Sequence, residues 1–89
     1  MSNTLYVLVN KKYNKSYQAA QCCHAVAEYV KQNPESPWNN GKIILLKTSC
    51  LSCYADLADA IWREPDQDDQ ITAVAALNIG DEISHWLML

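Results

Sequence analysis

The chain has 89 residues, of which 49% are hydrophobic and only two are glycine, so residues 1–89 are expected to form one ordered domain with a small core. Its net charge of -3 argues against indiscriminate binding to nucleic acid. No apolar run approaches the roughly 18 residues of a membrane span and no signal-type stretch is present, so we expect no membrane partner and a cytoplasmic location.

The first half of the chain predicts a strand, a basic loop and a helix. Residues 4–10 are almost continuously apolar, as in a strand that is covered on both faces, so this strand should be central. Ser16 is the predicted N-cap of the helix, which should end near Asn33, before a proline. The loop between strand and helix carries a group of lysines: Lys11, Lys12 and Lys15.

The predicted helix has one apolar and one polar side. Gln21, His24 and Glu28 lie on the polar side, which is expected to carry chemistry or to face water. The opposite side should pack, because its residues recur at the i, i+3, i+4, i+7 spacing: Ala19, Cys22, Cys23, Val26 and Val30.

The second half predicts further strands around another helix. Residues 43–47 and 71–77 are apolar runs typical of strands, and residues 66–69 form an acidic turn between helix and last strand. Ser49 is the predicted N-cap of the second helix. A closing segment occupies residues 83–89.

A resemblance to a known family follows from the first helix, which contains Ala-Ala-Gln-Cys-Cys-His-Ala at residues 19–25. A strand, a Lys-rich loop and a helix with this sequence resemble the opening of the peptidyl-tRNA hydrolases of the second type. Residues 41–47 and 72–77 are similar to the second and last strands of that family. The resemblance also implies a third strand at about residues 60–64, so that the second helix ends near Asp59.

The predicted elements therefore follow the order strand, helix, strand, helix, strand, strand. This order indicates an α/β fold with a single-layer, mixed, four-stranded sheet and helices packed on it. The first two strands should be parallel because a helix connects them, and the short acidic loop should make the last two antiparallel.

The resemblance implies hydrolysis of the ester between a peptide and the 3′ ribose of a tRNA. Gln21 would donate to the carbonyl and His24 would act as a base or donor. Either Glu64 or Asp66 would orient a water or the imidazole, and the sequence leaves this choice open. No metal or cofactor is expected, since positioning, a weak base and oxyanion donors suffice for an ester. Substrate binding is assigned to four residues: Lys11, Lys12, Lys15 and Tyr17.

Members of that family usually have a lysine where this chain has Tyr17, and a phenol does not supply a permanent cation. The alternative function is therefore a catalytically degenerate relative that binds tRNA or a protein partner without turnover. A homodimer is also expected, because related hydrolases are often dimers and a small domain gains from burying extra surface.

The four cysteines suggest two other kinds of chemistry, although reduced, packed thiols are the default in the absence of a secretory signal. Cys50 and Cys53 follow a strand and open the predicted second helix, the setting of C-x-x-C redox sites. Zinc binding by these two with Cys22, Cys23 and His24 is less favoured, because neighbouring residues on a helix point about 100° apart.

Overall fold

A computed structural model describes residues 3–80 and 87–88. Among these residues, an 18-residue helix and five strands form a mixed α/β fold in which the strands lie in the order β3-β4-β1-β2-β5. The predicted α/β class and mixed sheet are confirmed, with a two-residue fifth strand added to the four predicted ones; the rest of the closing segment lies outside the described residues. The elements are β1 (Thr4–Asn10), α1 (Lys15–Gln32), β2 (Lys42–Thr48), β3 (Ala60–Glu64), β4 (Gln70–Leu77) and β5 (Leu87–Met88).

The first strand lies at the centre of the sheet, as its apolar sequence predicts. It is parallel to β2, with Val7 opposite Leu45, and antiparallel to β4, with Val7 opposite Ala75. At the edge, β3 pairs with β4 in antiparallel fashion, with a register shift between Trp62 and Arg63. Consequently, the carboxyl ends of β1, β2 and β3 and the start of β4 lie at one end of the sheet.

The core occupies both faces of the sheet. Because side chains alternate along a strand, Leu5, Val7 and Val9 point to the face covered by α1, whereas Leu8 points to the other. The second face is covered by the connection after β2, where Leu51 is buried. Burial on both faces explains why β1 contains almost no polar residue.

The cap of α1 differs from the prediction. Asn14, not Ser16, is the N-cap, and its Oδ1 accepts a hydrogen bond from the backbone N–H of Tyr17 at 2.9 Å. Ser16 lies inside the first turn of the helix and is exposed. The helix starts at Lys15, whereas a cap at Ser16 would place the first helical residue at Tyr17.

The packed face of α1 was predicted only in part, since Cys22 is buried and Val26 packs against the core but the rest of the predicted stripe does not. Ala19, Cys23 and Val30 are exposed, although they belong to the predicted apolar stripe. The physical reason is that two glutamines find buried hydrogen-bond partners and can enter the interface. The residues that are buried on α1 are Gln18, Gln21, Cys22, Ala25 and Tyr29.

The second helix is absent, and two short 3-10 turns, Leu51–Cys53 and Ala55–Leu57, take its place. Ser49 caps nothing, because the backbone N–H of Cys50 donates to Thr48 Oγ1 at 3.1 Å instead. Leu51 packs on the sheet in this segment, and the chain reaches β3 through the two short turns. Cys50 and Cys53 form a disulfide, so the expectation of four reduced thiols is wrong for this pair.

Candidate active site

A cluster of side chains surrounds Glu64, the last residue of β3. The indole Nε1–H of Trp62 donates to Glu64 Oε2 at 3.3 Å, and the backbone N–H of Asp66 lies 3.5 Å from Oε1. Glu64 thereby caps the 3-10 turn Pro65–Gln67 that follows the strand. The carboxylate is fixed by its own strand and by the turn after it, so its position is set by local geometry.

His24 approaches this cluster from α1. Its imidazole stacks on the Trp62 indole, with ring centroids 4.4 Å apart and an angle of 12° between the planes. The imidazole is exposed at the surface, and its charge is close enough to lower the pKa of Glu64. A solvent-accessible imidazole has the chemistry of a general base, and the stack on Trp62 orients its ring.

Gln21 connects the helix with the strands beneath it. Its side chain is buried, and its Oε1 accepts a hydrogen bond of 2.6 Å from the hydroxyl of Thr72 on β4, which is fully buried. The Gln21 side chain also lies close enough to the Glu64 carboxyl to lower its pKa. Gln21 was expected on the polar side of the helix, which carries chemistry or faces water; in the structure its side chain is buried and held by Thr72.

Glu64 is held in its ionised form. Removal from water raises its pKa, but the nearby polar groups of Trp62, Gln21 and the backbone of Asp66, together with the charge of His24, outweigh this, and the net pKa is lowered. The carboxylate is therefore available in neutral solution as an acceptor for a water or an imidazole N–H.

Tyr17 lies at the border of the cluster as an uncharged phenol. Within the described residues its hydroxyl oxygen is shielded from water and makes no hydrogen bond of good geometry, although the Gln67 side chain is close enough to lower its pKa. The net pKa is nevertheless raised, first by removal from water and then by the negative charge of Glu64. A cation does not occupy this position, in contrast to the lysine that the resemblance leads one to expect.

A basic groove lies on the other side of the start of α1 and has a volume of about 620 Å³. The loop after β1 forms one wall, and buried Gln18 holds that loop by donating to the Tyr13 carbonyl at 2.6 Å. The end of β2 forms the other wall. A hydrogen bond of 2.9 Å from the backbone N–H of Lys11 to the Thr48 carbonyl joins the loop to this strand. The groove combines three lysines with apolar and aromatic side chains: Lys11, Lys15, Lys47, Tyr13, Ala19 and Leu45.

No family model, curated protein or solved structure matches this chain. The resemblance to peptidyl-tRNA hydrolases therefore rests on the sequence motif, and the function has to be argued from the geometry. Among the described residues, no helix is long and apolar enough to cross a membrane.

The structure brings together some of the predicted site residues and separates others. Gln21, His24 and Glu64 form one cluster, whereas the exposed Asp66 contributes its backbone N–H to Glu64. Lys12 is outside the groove, with its Nζ 5.1 Å from the centre of the Tyr13 ring, a cation–π distance. Lys11 and Lys15 line the groove as substrate-binding residues would.

Three residues of the site were missed by the sequence analysis. Trp62 had a local signal, because it lies two positions before Glu64 and so on the same face of a strand. Lys47 ends a strand parallel to β1, and the ends of parallel strands meet at one edge of a sheet. Thr72 had no local signal, because its partner is 51 residues away.

The zinc hypothesis is contradicted. Cys50 and Cys53 are joined to each other, and the described part of the chain contains no group of three or more His, Cys, Asp or Glu residues that could hold a metal ion.

Proposed function

We propose that this protein hydrolyses the ester bond of peptidyl-tRNA, releasing peptide and tRNA. The observation that carries the proposal is the cluster of Gln21, His24 and Glu64 on one side of the start of α1, with a groove lined by lysines on the other side. These residues come from the start of the helix and the end of an edge strand, and they supply a base, a carboxylate and a positioning amide in one place.

In this proposal the exposed imidazole of His24 removes a proton from a water as its oxygen forms a bond to the ester carbonyl carbon. The ionised Glu64 stabilises the imidazolium that results. When the tetrahedral intermediate collapses, the bond to the 3′ oxygen of the ribose breaks and that oxygen receives the proton from the imidazolium. An ester has a good leaving group, so this chemistry needs no covalent intermediate.

The basic groove is assigned to the phosphates near the 3′ end of the tRNA. Lys11, Lys15 and Lys47 provide positive charge on a chain whose net charge is negative, so RNA would be attracted locally and not over the whole surface. Aromatic Tyr13 in the same groove offers a face for a base.

The second candidate is a relative that binds tRNA without hydrolysing it. It is favoured by one observation, the uncharged Tyr17 beside Glu64. The site then keeps its acceptor groups but lacks a permanent cation to stabilise negative charge on the substrate. The homodimer implied by the resemblance stays a prediction.

The deciding experiment measures release of an N-acetyl-amino acid from N-acetyl-aminoacyl-tRNA by the purified protein. Wild-type turnover that falls by about 100-fold or more in His24→Ala is the expected result, since general acid–base help is worth this much. Lys31→Ala, an exposed position in the last turn of α1, is the matched control and should leave the rate unchanged.

Tyr17→Lys separates the two candidates. Turnover that appears only in this variant would show that the wild type is a silent relative. If neither the wild type nor Tyr17→Lys turns over the substrate, the hydrolase proposal is wrong.

A further inference from the structure

The segment after β2 carries a feature that ester hydrolysis does not use. Cys50 and Cys53 form a disulfide across the first 3-10 turn, with Cα atoms 5.5 Å apart, whereas Cys22 and Cys23 are free. We propose that Cys50 and Cys53 are a reversible redox pair, which alternates between dithiol and disulfide by exchange with small-molecule disulfides of the glutathione class.

Access to the sulfur atoms supports exchange. Cys53 is exposed, and Cys50 is half-buried beside it. Thiol–disulfide exchange requires that an external thiolate or disulfide reach one sulfur of the pair, while the second cysteine must only reach the first. The exposed Cys53 is therefore the entry point, and Cys50 is the resolving thiol.

The backbone around the pair is fixed independently of the bond between the sulfurs. Leu51 is buried against Leu8, Leu46 and Val74 on the second face of the sheet. The N–H of Cys50 donates to Thr48 Oγ1, and the N–H after Cys53 donates to the Leu51 carbonyl at 3.0 Å. These contacts would hold the two thiols close together after reduction. The disulfide can then form again without a rearrangement of the backbone.

A purely structural role explains the bond less well. The cysteines are separated by only 3 positions in the sequence. Closing so short a loop restricts the unfolded chain far less than a link between distant segments does. Moreover, Leu51 and the 3-10 hydrogen bonds already anchor this segment.

The other two cysteines do not offer the same chemistry. Cys22 is buried, and removal from water, followed by the effect of Cys23, raises the pKa of its thiol to about 11. Cys23 is exposed, but its neighbour on the helix points about 100° away, so the two do not form a pair. Cys23 is thus an internal comparison: an accessible thiol without a partner.

The exchange proceeds in two balanced steps. The Cys53 thiolate attacks one sulfur of the small disulfide, which forms a mixed disulfide and releases one small thiolate. The Cys50 thiolate then attacks Cys53 Sγ, which forms the protein disulfide and releases the second small thiol. The protein loses two electrons and two protons, and the small disulfide gains both.

The test equilibrates the protein with buffers of graded ratios of reduced to oxidised glutathione, quenches with acid, alkylates in denaturant and records the intact mass. The wild type should pass from four alkylated cysteines to two, in one step that depends on the square of the reduced glutathione concentration. Cys23→Ser should show the same midpoint with one thiol fewer. Cys53→Ser should form no internal disulfide and only a mixed disulfide with glutathione.

Two outcomes would overturn the proposal. If the bond between Cys50 and Cys53 persists in the folded protein at the most reducing ratio, it is a structural link. If all four cysteines remain alkylated at the most oxidising ratio, the pair does not form in solution. Neither outcome bears on the hydrolase proposal, because the assay involves neither RNA nor His24.

Discussion

At the scale of single residues, the site depends on how Glu64 is kept ionised while partly removed from water. The indole N–H of Trp62 and the backbone N–H of Asp66 donate to one carboxylate, and the Gln21 side chain and the His24 imidazole lie close enough to lower its pKa. A carboxylate that accepts several hydrogen bonds has its charged form stabilised, and in this protein that effect exceeds the cost of desolvation. The arrangement prepares an acceptor before any substrate arrives.

This arrangement predicts a pH dependence of stability. Because the pKa of Glu64 is lowered in the folded state from its ordinary value of 4.5, ionised Glu64 stabilises the fold above pH 4.5, and this contribution is lost as the pH falls through the folded-state pKa. The free energy of unfolding of Glu64→Gln should therefore be below that of the wild type at pH 7, with a difference that shrinks under acidic conditions. Urea unfolding at a series of pH values measures it.

Asp66→Asn is the control, because the carboxylate of Asp66 is exposed and Glu64 uses only its backbone N–H. A pH-independent difference between Glu64→Gln and the wild type would contradict the role given to ionised Glu64. The carboxylate of Glu64, and not that of Asp66, lies with Gln21 and His24, and which of the two would act on a substrate stays a prediction.

At the scale of elements, strands were predictable and the orientation of the helix was not. The apolar runs placed β1, β2 and β4 to within one residue, because a strand buried on both faces needs apolar side chains throughout. The buried face of α1 is different: it includes Gln18 and Gln21, which are buried only because they find a loop carbonyl and Thr72. Hydrophobicity does not reveal partners that are distant in the sequence.

The prediction of a second helix was wrong for a related reason. In the structure Leu51 packs on the sheet and the chain returns to β3 soon afterwards. Two 3-10 turns satisfy both demands, and with about three residues per turn they bring Cys50 and Cys53 to the same side of the chain. Tertiary constraints of this kind override local helix patterns.

The start of α1 allows a test at this scale. Asn14→Ala removes the side-chain acceptor for the N–H of Tyr17 and should lower the free energy of unfolding by about 1 kcal/mol. For a domain of this size that corresponds to a fall in Tm of about 4–8 °C. Ser16→Ala is the matched control and should change Tm little. A larger effect at Ser16 than at Asn14 would mean that the helix begins where the sequence suggested.

At the scale of the whole molecule, the fold brings lysines from separate segments of the chain together in one groove. The chain is acidic overall, yet the parallel pairing of β1 with β2 brings Lys47 next to the loop that carries Lys11. Lys15 joins them from the first turn of α1. Meanwhile Glu64 and the turn after it lie beyond β4 at the edge strand. The basic groove and the carboxylate cluster are thus separate, on two sides of the start of one helix.

This separation predicts how binding to tRNA responds to salt. If Lys11, Lys15 and Lys47 each neutralise a phosphate, the slope of log K against log salt concentration should become less steep by about 2 to 3 when all three are changed to Ala. Filter retention of deacylated tRNA at several salt concentrations measures the slope. Because this reports binding alone, it applies whether or not the protein hydrolyses peptidyl-tRNA.

The matched control changes Lys31 and Lys42 to Ala. Both are exposed, and Lys42 pairs with Thr4 at the opposite end of β2 from Lys47, about 17 Å away along the strand. Since the Debye length at physiological salt is about 8 Å, charge at that distance is largely screened from the groove. The control should therefore retain the wild-type slope. Equal flattening in both variants would show that RNA responds to overall charge and not to the groove, and the groove would then have no assigned ligand.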